Sequence, residues 1–345
     1  MDTKPERTKR ICIFGAGSVG CYVGGRMAAA GCPVTLIGRE RLRLELMRSG
    51  LHLTDLLDAD LRVNPDALRF VTDADAAADA DLVMVTVKSA DTAEAGRALA
   101  KVLKPGTVVI SFQNGMGNAG LLRDALQQQT VLSGMVQFNV TNRGGGHFHH
   151  GSEGGLEVEQ HPALEPFVAA FAKAGLPLKQ HADMLPVQWA KLLLNLNNAI
   201  NALSNIPLKA ELSQRAFRKC LALAQTEGLR LMGSAGIRPA KLTPVPPDWI
   251  PTLLKTPTWL FQRLATKMLA IDPLARSSMW EDLEAGRRTE VDWLNGEIVR
   301  LAENIGHHAP VNARLVALIR EAEAGGNRQW SGEDLLNELK QAVQV

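Results

Sequence analysis

With 345 residues, the chain exceeds the roughly 250–300 at which a single hydrophobic core stops growing, so two domains are expected. The balance of 38 basic against 36 acidic residues, a formal net charge of +2, excludes the electrostatic footprint of a nucleic-acid or anionic-membrane binder and leaves small molecules as partners. The polar N-terminus "MDTKPERTKR" and the lack of any ~18-residue uninterrupted apolar run predict a soluble, cytoplasmic protein. Its four cysteines, Cys12, Cys21, Cys32 and Cys220, form no C-x-x-C pair and read as reduced thiols.

From residue 10 to about 182, short β-branched runs alternate with helical patterns: "RICIFGAG", "VTLIG", "DLVMVTVK", "TVVISFQNG" and "VLSGMVQFNV". That alternation predicts an α/β domain over 1–182, a mostly parallel, doubly wound sheet with helices on both faces. "GGGHFHHGSEGGLEVE" and "LPLKQHAD" read as added strands joined by glycine-rich turns. After Met184 strand signals vanish, and 3.6-residue periodicity predicts an all-helical domain over 183–345, with helices at roughly 184–203, 209–235, 258–270, 279–306 and 309–324. Six of the seventeen prolines lie between residues 239 and 257, so that connection is extended or broken.

The first chemical signal is "IFGAGSVG", with Gly15, Gly17 and Gly20 in G-x-G-x-x-G spacing after an apolar strand and before an Ala-rich helix. In that setting Gly15, Ala16, Gly17, Ser18, Val19 and Gly20 form a dinucleotide-binding turn, whose glycines let the backbone approach a pyrophosphate at the helix N-terminus. The next strand ends "VTLIGRE", where NAD-binding folds often place an acid; Gly38 and Arg39 stand there instead. An arginine pairs with a 2′-phosphate that an acid would repel, so NADP is the expected cofactor. The alternative is that Arg39, Arg41 and Arg43 merely solvate the following helix. Lys88 in "VTVKSADT" and Asn114 in "SFQNGMGN" stand at strand C-termini, where open α/β sheets bind ligands. An N-G turn and a surface lysine are the alternatives. His147, His149 and His150 in "GGGHFHH" lack a Cys or acidic partner at metal-ligand spacing; exposed hairpin histidines, and no metal, are expected.

In the helical half, "KLLLNLNNAINAL" carries Lys191, Asn195, Asn197, Asn198 and Asn201 inside a long apolar run. At about 100° per residue, Lys191, Asn195 and Asn198 fall at 0°, about 40° and about −20°, one polar stripe on a leucine-rich helix. Such a stripe lines a ligand site or a buried hydrogen-bonded network. A half-buried lysine there can donate a proton to a carbonyl oxygen. Trp249, Trp259, Phe261, Leu264 and Met268 form core or a lid, with core favoured. In "SSMWEDLEAGRRTEVDWLNGEIV", Ser277-Ser278 is an N-terminal helix signal with Glu281 in the first turn. Spacing alone does not choose among Glu281, Asp282, Glu284, Glu290 and Asp292 as a carboxylate for Lys191. The tail "GGNRQWSGEDLLNEL" predicts a short terminal helix capped by Ser331; its Trp330 anchors either to the body of the chain or to a second copy in a homodimer.

The motifs "GAGSVG", "VTVKSADT", "QNGMGN", "QWAKLLLN" and "SSMWEDLEAGRRTEVDWLNG" together resemble the ketopantoate reductase (2-dehydropantoate 2-reductase) family, within the 6-phosphogluconate-dehydrogenase-like group, from about residue 10 to about 324. The resemblance implies a Rossmann domain, a helical domain and a cleft for a 2-keto acid. It makes Lys191 the proton donor, Asn195 and Ser278 substrate contacts, and Glu290 the glutamate touching reacting groups and cofactor. Asn114 becomes the asparagine of the N-G turn, serving cofactor and substrate; Arg39 and Lys88 resemble cofactor-phosphate contacts, and Asn198 joins the substrate set by its face. Three further asparagines of the family pattern are Ala199, Lys209 and Ala275 here, which leaves the substrate name open. NADPH-dependent reduction of a 2-keto acid, ketopantoate first, as a step of pantothenate biosynthesis, is the expected function. A β-hydroxyacid or opine-type dehydrogenase and a non-catalytic NADP-binding sensor are the alternatives.

Overall fold

The structure, a computed structural model, describes residues 8–265 and 272–344. The chain divides between Met184 and Leu185 into two compact units.

The first unit begins β1 (Ile11–Phe14), α1 (Ser18–Ala29), β2 (Val34–Ile37), α2 (Glu40–Ser49), β3 (Leu51–Asp55), β4 (Asp60–Val63), β5 (Arg69–Val71) and β6 (Leu82–Val85). It continues with α3 (Thr92–Ala100), β7 (Val108–Ser111), α4 (Asn118–Ala125), β8 (Thr130–Val136), β9 (Val140–Asn142), β10 (His147–His150), β11 (Leu156–Glu159), α5 (Glu165–Lys173) and β12 (Leu178–His181). Eight strands form one sheet in the order β12-β11-β8-β7-β6-β1-β2-β5. All neighbours are parallel except β11 against β8. The central strands β6 and β7, "LVMV" and "VVIS", are buried at every residue, as strands covered on both faces must be. Alternation along β1 sends Ile11 and Ile13 into a core shared with α1 and α5, and Cys12 into a second core shared with α3 and α4. The strand order reverses at β1, which lies between β2 and β6, so the ligand-binding crevice expected of such sheets is at their carboxyl ends there.

A second, four-stranded sheet, β4-β3-β10-β9, was not anticipated. Its Leu51, Leu53 and Phe148 join the core on the α1 side, so α1 is held between two sheets. Two adjacent glycines make that possible: a Cβ on Gly24 would stand 2.5 Å from Leu36, and one on Gly25 2.8 Å from Leu53. The histidines of β10 are strand residues rather than exposed hairpin groups. His147 and His149 both meet the Thr54 hydroxyl at 2.8 Å, and His150 faces the Tyr22 hydroxyl at 3.3 Å.

Among the described residues of the second unit, every regular element is a helix: α6 (Leu185–Asn195), α7 (Asn197–Ser204), α8 (Leu208–Ser213), α9 (Arg215–Ser234), α10 (Ile250–Lys255), α11 (Thr258–Leu264), α12 (Ser278–Glu284), α13 (Asn295–Asn304), α14 (Pro310–Glu323) and α15 (Gly332–Gln344). The predicted 184–203 helix is interrupted at Leu196, whose backbone stays right-handed (φ −57°, ψ −22°). The predicted 209–235 helix breaks at Gln214, which is extended. The predicted 279–306 helix stops at Glu284, two residues before Gly286 turns left-handed at φ +61°. The last part of the predicted 258–270 helix, with Met268, lies outside the described residues.

The proline-rich connection packs back on α6 through Ala240 N–H to the Pro186 carbonyl at 2.8 Å. Phe261 is fully buried beneath the Arg218 guanidinium, 4.3 Å from its ring centroid, whereas Trp249 and Trp259 are each 68% exposed and Leu264 58%. Core packing therefore holds for Phe261 and fails for those three. Ser331 Oγ accepts from the Asp334 N–H at 3.1 Å to open α15, and the backbone N–H of Trp330 donates to the Leu203 carbonyl at 3.0 Å. No described helix is long and apolar enough to cross a membrane.

Candidate active site

The glycine turn is tied to both neighbouring strands. Gly15 and Ala16 N–H groups donate to the Ile37 carbonyl at 2.9 and 2.8 Å, and Thr86 Oγ1 donates to the Gly15 carbonyl at 2.8 Å. Gly15 sits at φ +102°, and a Cβ there would lie 2.5 Å from the Val87 backbone nitrogen; only glycine fits. Gly20 meets the same sheet from the helix side, where a Cβ would stand 2.7 Å from Thr86 Oγ1. Gly17 differs. It is exposed, a Cβ there would meet only the Gly15 carbonyl at 3.9 Å, and it starts α1 with no side-chain cap, so the first N–H groups of the helix, at Ser18, Val19 and Gly20, have no partner within the helix. Those groups and the helix dipole suit a pyrophosphate.

At the end of β2, Gly38 packs under Phe70, with a Cβ contact of 2.8 Å, and Arg39 is exposed at the start of α2. Arg43 is engaged with Glu40 at 2.6 Å. The ends of β6 and β7 are sewn together: Ser89 Oγ donates to the Asn114 carbonyl at 2.8 Å, Gln113 Nε2 to the Val87 carbonyl at 3.2 Å, and Asn118 Nδ2 to the Asn114 carbonyl at 2.6 Å. Thr92 Oγ1 closes the network on Asn118 Oδ1 at 2.9 Å. Lys88 and Asn114 thus stand on two loops that hold one another. Ser89, Thr92, Gln113 and Asn118 went unremarked in the sequence; the short polar run "SADT" after Lys88 was the available signal.

In the helical unit, Lys191 and Asn195 occupy successive turns of α6. Asn195 is 8% exposed and Lys191 half-buried. Burial pulls the Lys191 ammonium from its usual value down to about 8. Asn198 lies past the Leu196 interruption on α7, and its carbonyl accepts from Ser277 Oγ at 3.2 Å. Ser277 caps α12 by accepting from the Trp280 N–H at 3.1 Å, which makes Ser278 the first residue of that helix. Glu290 is 6% exposed and is held from both sides by α14: Thr289 N–H donates to Glu323 Oε1 at 2.7 Å, and Arg320 pairs with Asp292 at 2.5 Å. A carboxylate that far from solvent needs fixed neighbours, and those two anchors fix its backbone.

The departures from the family pattern have different settings. Ala199 is fully buried in α7, Lys209 is exposed on α8, and Ala275 gives its carbonyl to the Leu208 N–H at 2.9 Å. Lys209 is a surface lysine.

Against known proteins, residues 11–163 match the family description "Ketopantoate reductase PanE/ApbA" and residues 183–323 its C-terminal counterpart. The chain belongs to the ketopantoate reductase family. It is thereby an oxidoreductase of the nicotinamide-dependent kind. A 2-dehydropantoate 2-reductase of Halobacterium salinarum is 31% identical over 330 residues, 92% of this chain and all of that one. A PanE/ApbA family ketopantoate reductase of Ralstonia eutropha JMP134 superposes with a TM-score of 0.77 at 31% identity, covering 92% and 99% of the two chains. D-mandelate dehydrogenase, in a complex with NADH and anilino(oxo)acetate, superposes at 0.75 with 18% identity over 92% and 99%, a likeness of fold. For a ketopantoate reductase family member, the two-part match explains why α/β signals stop at Met184 and helical ones begin.

Proposed function

We propose that the protein reduces a 2-keto acid to the 2-hydroxy acid with NADPH, with 2-dehydropantoate (ketopantoate) as the first substrate and pantoate as product, a step in pantothenate biosynthesis. The observation that carries this reading is Lys191: an amine half-buried on α6, brought by burial to about 8, with Asn195 one turn on. A proton donor near the working pH is what ketone reduction needs. NADPH would lie along the turn Gly15, Ala16, Gly17, Ser18, Val19 and Gly20, with Arg39 and Lys88 toward its phosphates and Asn114 and Glu290 as further contacts, and it supplies the hydride that the ketone carbon accepts. Lys191 gives its proton to the oxygen that becomes the hydroxyl and regains one from solvent. Asn195, Asn198, Asn114 and Ser278 orient the keto acid, and Glu290 orients Lys191 and the substrate hydroxyl.

The decisive measurement is NADPH oxidation across a panel of branched 2-keto acids headed by ketopantoate. Turnover of at least one member at the rate of an ordinary enzyme is expected. Silence across the panel sinks the reading, and tight NADPH binding without turnover would point to a sensor. Turnover that requires an amine co-substrate would point to an opine-type enzyme.

The coenzyme choice is tested separately. Arg39→Ala is expected to reduce the preference for NADPH over NADH by about 10- to 100-fold, the worth of a charge-assisted phosphate contact of roughly 1.5–3 kcal/mol. Comparing kcat/KM for the two coenzymes reads this directly; an unchanged ratio would leave Arg39 a solvating residue of α2.

A further inference from the structure

Two polar side chains that the proposed chemistry leaves unused form a buried bridge between three helices. Asn201 on α7 and Glu211 on α8 are both fully shielded from solvent. Asn201 Nδ2 donates to Glu211 Oε2 at 2.7 Å and to the Ile206 carbonyl at 2.9 Å, while Asn201 Oδ1 accepts the Ser277 backbone N–H at 2.8 Å. Its amide is therefore spent on fixing Ser277, the residue that caps α12 and immediately precedes Ser278. Glu211 and the Ile206 carbonyl together fix which way that amide points, because both acceptors require the amide nitrogen on their side.

We propose that Glu211 is a positioning residue that acts through Asn201 to hold the Ser277–Ser278 turn in the geometry that binds the 2-keto acid. The inference rests on the proposed role of Ser278.

The protonation of Glu211 is part of the device. Its second oxygen, Oε1, and the side-chain oxygen of Asn197 are both buried acceptors without a hydrogen-bond partner, and the Asn197 amide lies beside the carboxyl and favours its charged form, against the larger effect of burial. A protonated carboxyl resolves this, since its O–H can donate while Oε2 still accepts from Asn201. Burial pushes the Glu211 carboxyl up to about 8, with the amides of Asn201 and Asn197 acting in the other direction. From α9, Cys220 faces it, a thiol raised to about 12 first by its own burial and then by Glu211. Arg218 on α9 directs its guanidinium to the Leu212 and Leu254 carbonyls, at 2.9 and 3.1 Å, and Arg276 lies over the Trp280 ring at 4.2 Å. Lys209, on α8 itself, is exposed. Neutral below about pH 8 and charged above it, Glu211 loses the donor that satisfies its Oε1 side as pH rises.

The experiment measures KM and kcat for ketopantoate against pH in three variants. Glu211→Gln keeps an acceptor for Asn201 and a donor for Asn197 but cannot ionise. It is expected to retain KM within about twofold at pH 7 and to abolish a rise in KM that the parent shows above about pH 8, with kcat following the parent at every pH. Glu211→Leu is expected to raise KM about tenfold or more with kcat changed less than about threefold. Ser278→Ala is expected to raise KM similarly. Should Glu211→Leu not fold, the KM-against-pH profile of Glu211→Gln decides alone. A Glu211→Gln profile identical to the parent's, or a folded Glu211→Leu with the parent's KM, overturns the proposal while Ser278→Ala remains impaired. If Ser278→Ala binds ketopantoate normally, the reading of Ser278 fails and the inference falls with it.

Discussion

Lys191→Ala is expected to lower kcat for ketone reduction by about 10²- to 10⁴-fold, the usual worth of a positioned general acid, while NADPH affinity stays at the parent value. Removal of the side chain takes away the proton but none of the turn at the head of α1. The pH dependence follows from the same group. Burial lowers the Lys191 ammonium to about 8, so the proposed donor is protonated below that pH and loses its proton above it. The rate of reduction should be flat in the neutral range and fall about tenfold per pH unit above about pH 8, and the reverse oxidation should gain over the same interval. Initial rates in both directions, with coenzyme binding followed by nucleotide fluorescence, give every quantity. A Lys191→Ala enzyme within threefold of the parent kcat would remove Lys191 from the chemistry.

Gly15→Ala is the second large effect. The residue sits at φ +102°, and the new Cβ would lie 2.5 Å from both the Val87 nitrogen and Val87 Cγ1. Backbone cannot give way cheaply there, because Gly15 N–H and Ala16 N–H are both held by the Ile37 carbonyl. Either the turn shifts away from β6 or α1 moves, and in both cases the N–H groups at the head of α1 lose their aim. NADPH affinity should fall about 100-fold or more, with the melting temperature lowered by several degrees, since strain at such positions costs of order 1–3 kcal/mol. A fluorescence titration and a thermal melt on the same sample check this; parental affinity would show that the turn does not carry the coenzyme.

The division into an α/β part and a helical part was legible because β-branched runs such as "LVMV" have no helical period, while the later half has little else. The glycine turn was legible because its spacing, the strand before it and the helix after it agree. The β3–β4 hairpin was not: "LHLTD" and "DLRV" are short, carry charge, and depend for their burial on α1 and on a strand far along the chain. The break at Leu196 has no residue signal, since its backbone is still right-handed, whereas the stop near Gly286 did have one and was overridden by the apolar pattern on either side of it. For the site, Lys191 and Asn195 could be paired by helical spacing alone. Asn201 and Glu211 could not, because their meeting depends on the bend between α7 and α8. The choice of Glu290 among its acidic neighbours came from resemblance; the structure adds that Glu290 is among the most enclosed of them, while Asp292 is taken by Arg320.

The small sheet around α1 also dictates an order of events during synthesis. Thr54 meets His147 across a gap of 93 residues, and β3 pairs in parallel with β10 and antiparallel with β4. Until β10 has left the ribosome, the nascent chain carries β3 with one open edge, and an open edge is a template for wrong pairing. Asp60 on β4 and His52 on β3, bonded at 2.9 Å, put polar groups on that waiting hairpin, which discourages partners other than the strand that arrives last.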